Sequence, residues 1–295
     1  MQDFEGRVAV ITGAASGIGW GMAQAFADAG MKLVMADIEV QTLEAAGAEL
    51  RAAGHEVITV QTDVADPTSV QRLADAAHEA FGKVHVLCNN AGVGGATGKP
   101  GQWGVWNSPP ESWQWVLGVN LMGVVHGLQS FVDRMIAHGE PGHVVNTSSV
   151  LGVWGGGNGI YGVSKHAVTA LSEGLYHGLK GQQAAIGASV LMPGLVATRI
   201  NTAARNRPEH LKPDGQDLPP EVMAMMAAAE KRYLENGMPP RQVGEIVLNA
   251  IREERFYVFT HPGSEKPVEE RMRAIIDGQP PTPGPQMRRL AQPDG

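Results

Sequence analysis

The chain has 295 residues, of which 43% are hydrophobic and 18% charged, with a formal net charge of −7. This composition supplies a large core, excludes global disorder, and argues against nucleic acid or an anionic membrane surface as the main partner. The single cysteine, Cys88, excludes an internal disulfide framework, no run of about 18 apolar residues is present to span a bilayer, and the start MQDFEGRVAVITG lacks the pattern of a signal peptide. A cytoplasmic globular protein is the expectation.

Residues 7–12 (RVAVIT) are rich in β-branched side chains and predict a buried strand. Residues 17–29 place Ile18, Met22, Ala25, Phe26 and Ala29 at three- and four-residue spacing, which predicts a helix stopped by Gly30. A strand over 32–36, a helix over 39–53 ended by Gly54 and a strand over 56–61 follow. Asp66 and Pro67 form the N-cap and first position of a helix that runs to Phe81, with Gly82 as its stop. The series continues with a strand over 84–89, a long helix over 109–137, a strand over 143–148, a helix over 161–181 and a strand over 186–192. A helix over 242–253 and a strand over 256–260 close it. Strands alternating with helices predict a doubly wound α/β fold, with a seven-stranded parallel sheet covered by helices on both faces.

Two stretches break this rhythm. Residues 195–240 hold six prolines and the methionines Met223, Met225, Met226 and Met238. So long a connection is expected to act as a substrate lid. Residues 261–295 hold seven prolines around one helical stretch, 268–277. They predict a C-terminal extension to a dinucleotide-binding catalytic domain spanning 1–260.

Gly13, Gly17 and Gly19 lie between the first strand and the first helix. That context permits a tight turn, close helix–strand packing and approach of a diphosphate to the helix N-terminus. Asp37 stands 18 residues after Gly19, at the end of the second strand. A carboxylate there accepts hydrogen bonds from both adenosine ribose hydroxyls and repels a 2′-phosphate. Neither Ala36 nor Ile38 beside it is basic, and Ser16 rather than a basic residue precedes Gly17. The reading is NAD rather than NADP. The ten histidines include no HExxH, and Cys88 has no ligand partner at motif spacing, so no metal is expected. Cys88 is expected to pack in the sheet.

Seven motifs in order, over residues 6–200, resemble those of the short-chain dehydrogenase/reductase family. They are TGxxxGxG from Thr12 to Gly19, Asp63-Val64, NNAG ending at Gly92, Asn120 within GVNLMG, VNTSS ending at Ser149, YxxxK at Tyr161 and Lys165, and PGxVxT from Pro193 to Thr198. The resemblance implies that the glycine loop with Ser16 and Ile18, then Asp37, Ile38, Asp63, Val64, Asn90, Ala91 and Gly92, hold the cofactor. It implies that Pro193, Gly194, Val196 and Thr198 meet its nicotinamide end, together with Tyr161 and Lys165. Tyr161 is then the general acid/base. A free phenol has a pKa of about 10 and is a poor base at neutral pH. Lys165, one helical turn on, is expected to favour the phenolate together with the charge of the oxidised nicotinamide. The resemblance also implies that Asn120 holds a water connecting Lys165 to solvent, and that a serine orients the substrate oxygen.

Two serines compete for that role. Ser148 lies thirteen residues before Tyr161, a spacing common in relatives, and Ser149 lies twelve before it. Neighbours on a strand point to opposite faces, so only one can face the site. The motif is anchored to the strand while loop lengths vary freely, which favours Ser149.

Trp103 and Trp106 follow the fourth strand, and Trp154 follows Ser149. With the Met-rich lid, Trp103, Trp154 and Met223 are expected to line a large apolar or aromatic pocket. Trp103 and Trp106 would alternatively serve a subunit interface. Residues 113–144 are similar to short-chain dehydrogenases that oxidise bulky aryl secondary alcohols, such as the lignin-dimer Cα-dehydrogenases. The expected function is NAD-linked interconversion of a secondary alcohol and a ketone. One rival is NADP-linked reduction of a ketoacyl thioester or other carbonyl, against which Asp37 argues. The other is a non-catalytic dinucleotide-binding module, which would usually have lost Tyr161 or Lys165. Relatives are commonly dimers or tetramers built through helices matching 109–137 and 161–181. The small residues Gly162, Ala167, Ala170, Gly174 and Gly178 suit such packing.

Overall fold

Seven apolar segments become strands: β1 (Val8–Thr12), β2 (Lys32–Asp37), β3 (Val57–Gln61), β4 (Val86–Asn89), β5 (Gly142–Thr147), β6 (Ile186–Met192) and β7 (Tyr257–Phe259). They pair in parallel throughout, in the order β3-β2-β1-β4-β5-β6-β7. This is a computed structural model, and it describes residues 1–94, 105–155, 159–212, 220–282 and 284.

The central strands are buried on both faces, which is why they read as continuous apolar runs rather than alternating ones. Alternate residues serve different cores. Ala9 and Ile11 of β1 pack with α1 (Gly17–Asp28), α2 (Val40–Ala52) and α8 (Pro240–Arg252). Val8 and Val10 pack with α3 (Pro67–Phe81), α5 (Gly123–Ala137) and α6 (Gly159–Gly181). α1 and α8 touch through their backbones. A Cβ at Gly21 would collide with the Pro240 carbonyl, and one at Gly244 with the carbonyl of Gly21.

The expected α3 cap is present, with the Asp66 carboxylate accepting from the Thr68 N–H. Strand and helix ends fall within two residues of the expected ones. Two elements depart further, while the helical stretch expected over 268–277 forms within two residues of that range. The long helix over 109–137 is divided into α4 (Pro110–Leu117) and α5 by a π turn over Gly118–Met122. Its span is long and apolar enough to cross a membrane, but α5 instead places Phe131 and Met135 in the core. The 195–240 connection, expected to act as a lid, contains a helix, α7 (Pro220–Asn236), and its two ends meet where Val196 bridges Met238. The C-terminal extension forms α9 (Lys266–Ile276) and docks on the loop after β5. There the Trp154 indole donates to the Ser264 carbonyl at 2.8 Å, and Arg271 donates to the Val153 carbonyl at 3.0 Å.

Strand order reverses between β1 and β4. The carboxyl ends of the strands at that switch open a crevice, the place where open parallel sheets bind ligands.

Candidate active site

A cavity of about 680 Å³ fills the crevice. One end is built by the loop from β1 to α1. Gly13 and Gly17 have φ of +67° and +55°, the left-handed region where glycine is at no disadvantage. A Cβ on Gly19 would collide with the Gly13 carbonyl, so Gly19 packs behind the loop rather than lining the cavity. Ser16 is the N-cap of α1 but makes no side-chain cap bond. The first N–H groups of α1 thus open on the cavity beside Gly13, Gly17 and Ile18, an arrangement that suits an anion.

Asp37 lies at the end of β2. Its two oxygens accept from the N–H groups of Ala15 and Glu39, each at 3.0 Å. Burial raises its pKa, and those two N–H groups oppose the rise. Ile38, Asp63, Val64, Ala91 and Gly92 line the same end. Asn90 is held by Thr12, whose carbonyl accepts from Asn90 Nδ2 at 3.0 Å, and by Thr147, which donates to Asn90 Oδ1 at 3.2 Å. Pro193, Gly194, Val196 and Thr198 form the opposite wall, and the Thr198 methyl lies against Gly17.

The candidate reacting groups sit between these walls. The Tyr161 hydroxyl and Ser149 line the same part of the cavity. Burial pushes the Tyr161 pKa up to about 12, Ser149 lowers it, and Tyr233 is close enough to raise it. Lys165 Nζ stands 5.6 Å from the Tyr161 ring centroid and donates to the Thr147 carbonyl at 2.9 Å. Its pKa is depressed to about 8 by burial. In the chain alone burial outweighs the expected influence of Lys165 on the phenol, because the ammonium faces the ring and not the hydroxyl oxygen.

The two serines part company here. Ser149 opens on the cavity, with its Oγ accepting from the Leu151 N–H at 3.2 Å. Ser148 Oγ donates to the Lys165 carbonyl at 2.8 Å and pairs with Thr169 Oγ1 at 2.9 Å. Asn120 lies in the π turn, fully buried and outside the cavity lining. Its Oδ1 accepts from Val93 N at 2.8 Å, and its Nδ2 donates to the Val93 carbonyl at 3.0 Å and to Ser164 Oγ at 3.1 Å. Both ends of the amide expected to hold a water are therefore committed to protein, and they clamp the turn after β4 to α6.

Trp154 lines the cavity, as do Trp115 and Tyr233. Trp115 is buried, with the Arg207 guanidinium 5.0 Å from its ring. Trp103 lies outside the described residues, as does the side chain of Met223. Trp106 is 82% exposed. Cys88 is buried in the sheet, with its thiol pKa pushed far up by burial. Sequence reasoning missed Arg199, Asn201 and Arg205, all from the start of the lid. Arg205 and Asn206 both donate to Glu39 Oε1, at 2.8 and 2.6 Å, drawing the lid over the Asp37 end. The proline spacing that marks the lid carries no signal for those residues. Among the described residues no cluster of His, Cys, Asp or Glu could hold a metal.

A family model described as short chain dehydrogenase matches residues 7–209. The chain belongs to the short-chain dehydrogenase family. This short-chain dehydrogenase is 33% identical over 282 residues to a C alpha-dehydrogenase of Sphingobium sp. (strain NBRC 103272 / SYK-6), covering 95% of this chain and 89% of that protein. It is 34% identical over 281 residues to a 1-deoxy-11-beta-hydroxypentalenate dehydrogenase of Streptomyces exfoliatus, covering 94% and 92%. Among solved structures it is similar to a short chain dehydrogenase/reductase from Burkholderia phymatum in complex with NAD. That match has 44% identity and a TM-score of 0.89, over 96% of this chain and 99% of the other.

Proposed function

We propose that the protein interconverts a secondary alcohol and a ketone, with NAD as cofactor and a bulky apolar or aryl substrate. One observation carries the reading. Tyr161, beside Ser149 and backed by Lys165, opens into the same cavity as the uncapped N-terminus of α1 and the Asp37 carboxylate. The relatives named above are dehydrogenases, and a similar solved structure is a complex with NAD.

The residues fit the cofactor. The first N–H groups of α1 hold a diphosphate, and Asp37 accepts from the adenosine ribose hydroxyls and repels a 2′-phosphate. Asp63, Val64, Asn90, Ala91 and Gly92 line the path between the two ends, and Pro193, Gly194, Val196 and Thr198 hold the nicotinamide end. NAD, when bound, supplies the hydride acceptor, and NADH the donor. Tyr161 Oη takes the hydroxyl proton during oxidation and returns it to the ketone oxygen during reduction. Ser149 Oγ donates to that same oxygen and stabilises its developing charge. Lys165 keeps a positive charge beside the phenol and binds the nicotinamide ribose, and Asn120 holds the frame around Lys165. Trp154 and Trp115 give the substrate end an apolar wall.

The working unit is a catalytic domain over 1–260 with its lid over 195–240. Within the extension, Ser264 and Arg271 steady the loop that carries Trp154. The protein is cytoplasmic and a homodimer or homotetramer, packed through α5 and α6. A Cβ added at Gly174 or Gly178 of α6 would meet nothing within 4 Å, so that face has room for a second helix.

Tyr161→Phe tests the reading. The phenyl ring still packs and only the proton carrier is removed. Turnover with NAD should be abolished while NAD binding by titration stays near that of the parent. Retention of most of kcat would overturn the mechanism.

A further inference from the structure

The substrate end of the cavity is mostly apolar, with Val93, Trp115, Leu151 and Ile200 among its walls. Asn201 interrupts it. The residue lines the cavity, yet its side-chain Nδ2 is buried and has no hydrogen-bond partner among the described residues. Such groups are rare in folded chains because a desolvated donor without an acceptor destabilises the state that contains it. The χ2 torsion of asparagine is broad and two-fold, so the amide is free to reorient toward a ligand in the cavity it lines.

A second polar group comes from the other end of the lid. Tyr233 on α7 lines the same cavity, near enough to Tyr161 to influence it. The two lid segments are joined beside these residues, where Thr202 Oγ1 donates to Glu230 Oε1 at 3.1 Å. The Trp154 indole N–H, by contrast, is already committed to the Ser264 carbonyl and offers the substrate only its ring.

We infer that Asn201, together with Tyr233, forms a polar subsite for a second oxygen of the substrate. That oxygen is an ether, carbonyl or hydroxyl acceptor carried on the apolar or aryl frame, apart from the reacting carbinol. The inference rests on the alcohol–ketone reading above and narrows its substrate class. A substrate without this oxygen leaves the Asn201 donor unpaired in the complex. Sites built to hydrogen-bond a substrate group reject analogues that lack it.

The test uses 1-arylethanols carrying a methoxy group at the ortho, meta or para position, each paired with its ethyl isostere and assayed with NAD. At one position or more the methoxy member should exceed its ethyl partner in kcat/KM by about tenfold, within the range for a buried donor left unpaired. Asn201→Leu should bring that ratio close to one, with the loss falling on the methoxy member. Tyr233→Phe supplies an independent variant and should reduce the same ratio. Ratios near one at every position in the parent enzyme would overturn the inference. So would an equal loss on both members in Asn201→Leu, which marks a structural role. Oxidation of none of these alcohols would overturn the underlying alcohol reading itself, an outcome distinct from oxidation without preference.

Discussion

Ser148 and Ser149 are adjacent, but one is bonded into α6 and the other faces Tyr161. Ser149→Ala should lower kcat roughly a hundredfold, as for loss of one oxyanion-type donor. Ser148→Ala should lower kcat far less and act on Tm instead, because it removes the bonds from Ser148 Oγ to the Lys165 carbonyl and to Thr169 Oγ1. The reverse ranking in steady-state kinetics would exchange their roles. The pH dependence has a definite sign. Tyr161 titrates at about 12 and Lys165 at about 8 in the chain alone, so at neutral pH one is a phenol and the other an ammonium. Oxidation needs the phenolate, so its kcat/KM should rise with pH. The rise should be shallower above about pH 8, where loss of the Lys165 charge disfavours the phenolate. Ketone reduction should fall as the phenol ionises. A pH profile of oxidation that declines from neutral into the alkaline range would contradict this assignment. At the other end, Asp37 should give NAD at least a tenfold preference over NADP in kcat/KM, about 1.4 kcal/mol, and Asp37→Ala should narrow it.

At the scale of elements, the strands and most helices were legible because hydrophobic period, capping Asp66 and stopping glycines all agree. The π turn was not. Nothing in GVNLMG distinguishes it from a helix, and it forms where the Asn120 amide is captured by the Val93 backbone, a tertiary bond. Helix α7 was hidden by its surroundings. Its Ala, Met and Glu content favours a helix, but prolines crowd both ends of it and the long connection reads as irregular. The glycine loop and Asp37 were legible from the strand and helix ends they occupy, whereas Tyr161 and Lys165, within α6, were legible only through the YxxxK resemblance. Asn201 and Tyr233 were not, since lid residues reach the cavity only through the fold of the lid itself. Docking of α9 on the Trp154 loop was equally invisible. Arg271→Ala removes the bond to the Val153 carbonyl and should raise the substrate KM about two- to fivefold, the weight of one hydrogen bond of about 1 kcal/mol or less, with a smaller change in kcat. An unchanged KM would mean that the extension does not steady the substrate wall.

At the scale of the whole molecule, one parallel sheet places the glycine loop, Tyr161 and residues of the 195–240 connection around one crevice. That crevice of about 680 Å³ has an apolar far end, which sets the size and polarity of what it can hold beside a cofactor. Each additional ~55 Å² of apolar surface buried is worth roughly a factor of ten before ordering costs, at about 25 cal/mol per Å². The direct test of the account is kcat/KM for a panel of secondary alcohols graded from 2-propanol to polycyclic and aryl carbinols, measured by NADH formation. The account predicts that kcat/KM rises with the apolar group until the cavity is filled, and that Tyr161→Phe abolishes the signal across the panel. A steady fall in kcat/KM as the apolar group grows, or full activity in Tyr161→Phe, would contradict it.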